Sequence, residues 1–204
     1  MFTSLVFDIG GVLINTKIAP DILESLSSVL LLPIGLVLDK WKYHYNNLLT
    51  GTLTPYSFVK EVIEENEIKS DPGVVVKLWE SKIRITENCI NKPVINYVKN
   101  MRDKNGIKTY ILSNMIDLMD SDTRLNEIKQ NFDGVYYSFQ LGSRKPLINI
   151  YNKFIDKTGI NPHNAIFVDD NQENVDNARQ LGFCCHLYQN NHGLFQFLNS
   201  QTTS

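Results

Sequence analysis

Near the start of the chain lies the sequence Leu5-Val6-Phe7-Asp8-Ile9-Gly10-Gly11, from which the architecture can be predicted. Its three apolar residues form a short run that leads directly to an aspartate, and two glycines follow soon after. An apolar run bounded by Gly-Gly is typical of a buried β-strand that enters a tight turn. We therefore expect Asp8 to lie at the carboxyl end of a buried strand.

The second half of the chain alternates between strands and helices. Apolar runs predict strands at residues 108–112, 134–137, 165–168 and 183–187. Helical periods predict helices at residues 93–104, 146–158 and 172–181. This alternation predicts an α/β fold, with a doubly wound, Rossmann-like parallel sheet that carries helices on both faces.

Residues 17–88 differ, because they show helical periods and no convincing strand. Thr54-Pro55 and Asp71-Pro72 each combine a residue that caps a helix with a proline at the first helical position. We therefore predict a Rossmann-like core of residues 1–15 and 89–204, and a small all-helical unit of residues 16–88 inserted after the first strand.

The most apolar stretch, residues 29–38, is interrupted by Pro33 and Gly35. It is too short to span a bilayer, so we expect a buried helix-loop-helix corner there and no membrane partner. Nothing before the first strand resembles the basic start of a secretory signal, so we expect a cytoplasmic protein. The three cysteines, two of them adjacent, do not resemble a disulfide framework, and Cys184 and Cys185 are expected to pack on opposite faces of a strand.

The composition is that of an ordinary globular protein. Of the 204 residues, 43% are apolar and 21% are charged, and the formal net charge is −2. This balance gives no overall attraction to nucleic acid, and no nucleic-acid-binding motif is visible, so no such partner is expected. The oligomeric state cannot be read from these features.

Polar residues follow three of the apolar runs. Asp8 follows the first, Ser113-Asn114 the run at 110–112, and Asp169-Asp170 the run at 166–168. Ligands of open parallel sheets bind beyond the carboxyl ends of the strands, so these side chains can meet in one crevice. Lys145 precedes a proline in a loop that could reach the same place.

Three carboxylates at one edge of a sheet repel each other, and a divalent cation relieves that repulsion. Hard oxygen ligands favour Mg²⁺, and the sequence offers no Cys/His cluster for a softer metal. A lysine and a hydroxyl beside such a cation would bind a phosphoryl group, whose transfer depends largely on positioning and charge neutralisation.

The order of these segments resembles the haloacid-dehalogenase-like superfamily over nearly the whole chain. Its four motifs are matched by Val6-Phe7-Asp8-Ile9-Gly10-Gly11-Val12-Leu13, Tyr110-Ile111-Leu112-Ser113-Asn114, Lys145-Pro146, and Phe167-Val168-Asp169-Asp170 continuing to Val175. The resemblance implies a phosphatase of small phosphorylated metabolites, including sugar phosphates, and it implies that the helical unit is a cap over the site.

The resemblance also implies a role for each matched residue. Asp8 would be the nucleophile and Lys145 would neutralise charge during catalysis. Mg²⁺ would be held by Asp8, the Gly10 carbonyl, Asp170 and Asp169, the last as a ligand or as a partner of the ligands. Ser113 with Asn114 and Gly11 would bind the phosphate group of the substrate. Asn174 would support the metal loop or simply cap a helix.

One position departs from the usual phosphatase pattern. Gly10 stands where most phosphatases of the superfamily carry the aspartate that protonates the leaving group. Either another group or water supplies the proton, with Tyr43, His44 and Tyr45 as candidates, or the protein is a catalytically weak metal- and phosphate-binding scaffold. A haloacid dehalogenase would need no such proton, but the superfamily's dehalogenases do not keep the Asp169-Asp170 pair.

Overall fold

The computed structural model describes residues 2–16 and 21–202. Within these ranges five parallel strands form one sheet in the order β3-β2-β1-β4-β5. The strands are β1 Ser4–Phe7, β2 Lys108–Ser113, β3 Gly134–Tyr137, β4 Ala165–Asp169 and β5 Cys184–Leu187. This confirms the predicted parallel Rossmann-like sheet, and it places β1, which leads to Asp8, at the centre between β2 and β4.

The first four of the helices between β1 and β2 in sequence form a group. They are α1 Ile22–Leu30, α2 Ile34–Leu49, α3 Pro55–Glu65 and α4 Pro72–Lys82, and together we call them the helical unit. As predicted, Thr54 and Asp71 cap α3 and α4, by accepting hydrogen bonds from backbone N–H groups of the first turn. The predicted start of this unit borders on residues 17–20, which lie outside the described residues, and its assignment as a separate domain stays a prediction.

Six further helices surround the sheet in the rest of the described chain. They are α5 Lys92–Asn105, α6 Thr123–Lys129, α7 Ser138–Leu141, α8 Ile148–Thr158, α9 Gln172–Gln180 and α10 Asn191–Thr202. Short 3₁₀ turns occur at Glu87–Cys89, Asp117–Met119 and Pro162–Asn164. None of the described helices combines the length and the apolar character that a membrane-spanning helix requires.

Both faces of the sheet are covered by helices. In β1, Leu5 and Phe7 pack into one apolar cluster, whereas Val6 packs into the cluster on the other face. This follows from the alternation of side chains along a strand, and it explains why all of β1 is buried. Cys184 and Cys185 likewise contact opposite clusters, which confirms that they are packing residues.

The helical unit has an apolar cluster that Ile116 and Leu118, from the segment after β2, also join. Trp79 lies at its centre, fully buried, and its ring Nε1–H donates a hydrogen bond of 2.9 Å to the Ile22 carbonyl. Phe58 packs against Trp79 with ring centroids 6.3 Å apart. Large aromatic side chains of this kind give a small helical unit much of its buried apolar area.

The predicted corner at residues 29–38 is present but only partly buried. α1 ends at Leu30 and α2 begins at Ile34. Leu30 and Val37 pack into the apolar cluster of the helical unit, yet Leu31 is 90% exposed, and Ile34 and Leu36 are exposed as well. Leu31 adopts a left-handed conformation, with φ of 55°, that ends α1. The expectation of burial is therefore confirmed for Leu30 and Val37 and wrong for the exposed residues between them.

Candidate active site

Asp8 lies directly beyond the central strand, where it is 8% exposed. Its backbone N–H donates to the Val168 carbonyl at 2.9 Å, which extends the pairing of β1 with β4 by one residue. β2 and β4 run parallel to β1 on either side, so Ser113 and Asp169 at their ends come beside Asp8. The predicted meeting of three strand ends is thus present in the structure.

Lys145 reaches this point from the loop between α7 and α8. Its side chain is buried, and its ammonium Nζ lies 2.9 Å from Oδ1 of Asp8 and 2.6 Å from Oδ2 of Asp169. Burial lowers the pKa of Lys145, but the two carboxylates outweigh burial, so the pKa is raised and the ammonium stays charged. A buried ion triad of this kind costs desolvation energy, which is more typical of a functional site than of a stabilising contact.

The groups around Asp8 change the pKa of its carboxyl group and hold it in position. Burial raises its pKa to about 6, and the neighbouring Asp169 also raises it, while Lys145 and a hydrogen bond with Ser113 lower it. Oδ1 of Asp8 accepts a hydrogen bond of 2.7 Å from the backbone N–H of Ile9 in addition to the contact with Lys145. The orientation of this carboxyl group is therefore fixed from two sides.

Carboxylate oxygens of Asp8, Asp169 and Asp170 lie within 4.8 Å of one another. The pKa of Asp170 is raised by burial and then by the charge of Asp169, so the cluster carries unfavourable negative charge. A set of hard oxygen donors at this spacing fits Mg²⁺ or another hard divalent cation, which would relieve that repulsion.

Both carboxylate oxygens of Asp169 have partners within the protein. They accept hydrogen bonds from Lys145, from the backbone N–H of Asn171, and from the Asn174 amide at 3.0 and 3.1 Å. Asp169 thus holds the Lys145 ammonium in place. The same geometry gives Asn174 a direct part in supporting the site.

Gly11 packs against the acidic cluster. It has a φ of +74°, and a Cβ atom added there would lie 1.9 Å from Oδ2 of Asp170. At the neighbouring Gly10 the nearest atom to an added Cβ is Cγ2 of Thr16, at 3.5 Å, which is an ordinary contact. Gly11, which was predicted to bind substrate phosphate, thus lies against Asp170, one of the candidate metal ligands. Gly10 has room for a Cβ atom.

Asn114 holds the loop that carries Lys145. The Asn114 side chain donates from Nδ2 to the Lys145 carbonyl at 2.9 Å and accepts at Oδ1 from the Lys145 N–H at 2.8 Å. Both polar ends of this amide are therefore occupied by backbone groups, so a side-chain contact with substrate would compete with them. The predicted part of Asn114 in phosphate binding stays a prediction. Ser113, by contrast, is buried beside Asp8 and hydrogen-bonds to it.

A family model described as haloacid dehalogenase-like hydrolase matches residues 2–182. The chain belongs to this family. This hydrolase is therefore an enzyme, and the resemblance predicted from the four sequence motifs is confirmed at the level of the family.

Two relatives and one solved structure are similar to this haloacid dehalogenase-like (HAD) hydrolase over most of its length. Bifunctional epoxide hydrolase 2 of Mus musculus is 27% identical over 202 residues, which cover 90% of this chain and 36% of that protein. The chain thus spans about a third of the length of this relative. D-ribitol-5-phosphate phosphatase of Bacteroides thetaiotaomicron is 25% identical over 199 residues, which cover 90% of each chain.

The solved structure is a HAD family enzyme from Bacteroides thetaiotaomicron in complex with magnesium and inorganic phosphate. It superposes with a TM-score of 0.72 at 21% identity, covering 93% of this chain and 95% of that one. The two proteins therefore share a fold.

A cavity of about 630 Å³ separates the helical unit of this hydrolase from the sheet. Its lining includes Gly10, Ser113 and Asn114 from the loops after β1 and β2, and Trp41 and Tyr45 from α2. A second cavity, of about 580 Å³, lies on the side of Gly11 and Asp170. The candidate nucleophile and the acidic cluster thus lie beside concave space of the size that small ligands occupy.

Of the three residues considered as replacement proton donors, Tyr45 lines the larger cavity. His44 is buried within the helical unit, where its Nε2 lies 2.9 Å from Glu61, and Tyr43 is 77% exposed on the outer surface. The sequence could not separate these three neighbours, because consecutive residues of a helix point in different directions.

Tyr151 of α8 is a supporting residue that the sequence did not reveal. Its buried hydroxyl donates a hydrogen bond of 2.9 Å to the Asn174 carbonyl, beneath the acidic cluster. In the sequence, Tyr151 appears only as one apolar residue in a helical period. A hydrogen bond between a hydroxyl and a backbone carbonyl 23 residues away cannot be predicted from the sequence around either residue.

Proposed function

We propose that this hydrolase is a Mg²⁺-dependent phosphatase of small phosphate monoesters, and that it works through an aspartyl phosphate on Asp8. The observation that carries the proposal is the buried triad of Asp8, Lys145 and Asp169, with the Asp170 carboxylate beside it. The B. thetaiotaomicron relative named as a phosphatase supports the same reaction class.

In the first step, an Asp8 carboxylate oxygen attacks the phosphorus atom of the ester. The bond from phosphorus to the leaving oxygen breaks, and the aspartyl phosphate forms. In the second step, water attacks phosphorus, the bond to Asp8 breaks, and inorganic phosphate leaves with the carboxylate restored.

The surrounding residues position and neutralise these groups. Lys145 offsets negative charge on Asp8 and on the phosphoryl oxygens, and the Ser113 hydroxyl can donate to the same oxygens. Mg²⁺ would be held by Asp8, Asp170 and the Gly10 carbonyl, and when bound it would neutralise charge on the phosphoryl group. The helical unit would act as a cap that excludes water from the cavity.

The missing side chain at Gly10 favours one alternative, a scaffold that binds metal and phosphate without efficient turnover. In the phosphatase, the leaving oxygen would take its proton from water or leave without one, which requires a good leaving group. The two functions therefore differ in turnover and not in binding.

A phosphatase assay with phenyl phosphate, with Mg²⁺ or with EDTA, tests the proposal. We expect Mg²⁺-dependent release of phosphate that falls by about 10³-fold or more in Asp8→Asn. Asp156→Asn, an exposed aspartate of α8, is the matched control and keeps wild-type activity. Phosphate binding without turnover would favour the scaffold, and halide release from a 2-haloacid would favour a dehalogenase.

A further inference from the structure

The larger cavity has a mainly apolar lining. Ser113 and Asn114, which follow β2 beside Asp8, are among its polar residues. Most of the other lining side chains are apolar, among them Ile22, Leu23, Trp41, Ile85, Met115 and Met119. A phosphate monoester with its phosphoryl group at Asp8 would place its leaving group between these apolar walls.

Two aromatic rings form one wall. The rings of Trp41 and Tyr45 have centroids 5.6 Å apart, and Trp41 also packs edge-on against Phe58 and Trp79 behind it. Trp41 is thus supported from the interior of the helical unit. A supported aromatic surface favours a flat, apolar ligand, because offset stacking adds to the free energy of apolar burial.

The charged residues in the cavity lining favour an uncharged leaving group. Among the described residues that line it, Asp21 alone carries a formal charge, and neither lysine nor arginine is present. Oδ1 of Asp21 accepts hydrogen bonds from Leu23 N–H at 2.7 Å and Glu24 N–H at 3.0 Å, so this negative charge is fixed in place. A leaving group with a carboxylate or second phosphate would meet an acidic residue that has no basic partner within the described part of the lining, which is unfavourable.

A polyhydroxylated leaving group would find few hydrogen-bond partners among the described lining residues. Beyond Ser113 and Asn114, the described lining offers Thr16, Asp21 and Tyr45 as polar side chains. A sugar brings several hydroxyls, and each one buried against Met, Ile or Trp without a partner is costly.

Leaving-group chemistry gives an independent reason. Gly10 carries no side chain that could protonate the departing oxygen. A phenol departs as a stable phenolate and needs such a proton far less than an aliphatic alcohol does. The shape of the cavity and the missing acid therefore select the same class of ester.

We propose that the substrate is a phosphate monoester of an uncharged aromatic alcohol of the phenol type, with its ring against Trp41 and Tyr45. This inference rests on the proposed phosphatase function and narrows it to one class of leaving group. Asp21 then discriminates against aromatic esters that carry a further negative charge.

The test compares kcat/KM, with Mg²⁺, for 2-naphthyl phosphate, 4-carboxyphenyl phosphate and an aldose 1-phosphate. The first two have leaving groups of similar acidity, so their comparison reports on binding. We expect 2-naphthyl phosphate to be preferred over both others by about tenfold or more, with the preference over the carboxylated ester arising mainly from KM. Equal or higher kcat/KM for either other ester would overturn the inference while leaving the phosphatase function intact, whereas hydrolysis of none would overturn the phosphatase itself.

Three variants sharpen the comparison. Asp21→Asn keeps a residue that caps α1 and should raise kcat/KM for the carboxylated ester by about threefold to fivefold. Tyr45→Arg, at a partly exposed position, should shift the preference toward that ester by about tenfold. Trp41→Leu should raise KM for 2-naphthyl phosphate by about tenfold.

Tyr43→Ala is the matched control, because Tyr43 lies on the same helix but outside the cavity lining. It should leave all three kcat/KM values unchanged. If Asp21→Asn and Tyr45→Arg, folded as judged by their unfolding temperatures, leave the ratio between the naphthyl and carboxylated esters at its wild-type value, the assignment of this cavity to the leaving group is wrong.

Discussion

A Cβ atom at Gly11 would lie 1.9 Å from Oδ2 of Asp170, so the loop after β1 and the loop after β4 are in direct contact at the acidic cluster. This contact leaves no room for a side chain at position 11, and the φ of +74° independently favours glycine there. Any residue larger than glycine must displace the Asp170 carboxylate. Two glycines that are adjacent in the sequence therefore have unequal importance.

Gly11→Ala should impair the enzyme, whereas Gly10→Ala should fold normally and keep Mg²⁺ binding. We expect Gly11→Ala to lose about 1–2 kcal/mol of stability from backbone strain and to raise the Mg²⁺ concentration needed for half-maximal activity at least tenfold. Thermal unfolding and a Mg²⁺ titration of activity measure both effects. Equal behaviour of the two variants would contradict the geometry at Asp170.

Gly10→Asp should supply the missing proton donor. An added Cβ at Gly10 meets only an ordinary contact, Cγ2 of Thr16 at 3.5 Å, so the backbone can carry a side chain there. We expect kcat for alkyl phosphates to rise by about tenfold to a hundredfold, since general acid catalysis typically contributes about 10²–10⁴. Aryl phosphates should gain much less, and a leaving-group series of both proteins measures the difference. An equal gain for both classes would argue against a role in protonation.

Asn114→Ala should misplace Lys145 without altering the acidic cluster. It removes the two hydrogen bonds, of 2.9 and 2.8 Å, that fix the Lys145 backbone. We expect kcat to fall by about tenfold to a hundredfold, with the Mg²⁺ dependence unchanged, because small errors in position are costly in catalysis. Asn114→Asp, which can still accept from the Lys145 N–H, should be intermediate. A change in Mg²⁺ dependence alone would contradict this positioning role.

The stability of the metal-free protein should fall as the pH rises from about 4 to 7. Burial raises the pKa of Asp8 from 3.8 to about 6, so the folded state binds this proton more tightly than the unfolded state. The stability from that proton is fully present below pH 3.8 and is lost as the pH rises through about 6. Thermal unfolding in EDTA should show this decline in wild type and a weaker one in Asp8→Asn.

Mg²⁺ should offset this loss of stability at high pH. Because a cation binds the deprotonated carboxylate, the gain in unfolding temperature on adding Mg²⁺ should be larger at pH 7.5 than at pH 5. A gain of equal size at both values, or one retained in full by Asp8→Asn, would remove Asp8 from the set of ligands.

The sequence predicted those parts of the site that follow directly from strand ends. Asp8, Ser113 and Asp169 each come at the end of an apolar run, and a parallel sheet must bring such ends to one edge. Lys145 carries a weaker signal, because it lies in a loop that could reach this edge, and only the resemblance to a family gave it a role there. Its burial between two carboxylates required the structure.

Contacts between distant backbone and side-chain atoms could not be predicted. Asn114 follows a strand like a residue that faces substrate, yet both of its amide partners belong to the backbone of a residue 31 positions away. The exposure of Leu31 was missed for a different reason. Periodicity identifies an apolar face, but it does not tell which apolar residues a small helical unit has room to bury.

In the proposed mechanism the phosphoryl group is transferred to Asp8 before it reaches water. Rapid acid quenching of the enzyme during turnover of 2-naphthyl phosphate with Mg²⁺, followed by mass spectrometry of its peptides, detects this intermediate. We expect one added phosphoryl group on the peptide that contains Asp8, and none in Asp8→Asn. A phosphoryl group on another residue, or turnover by Asp8→Asn at the wild-type rate, would exclude Asp8 as the nucleophile.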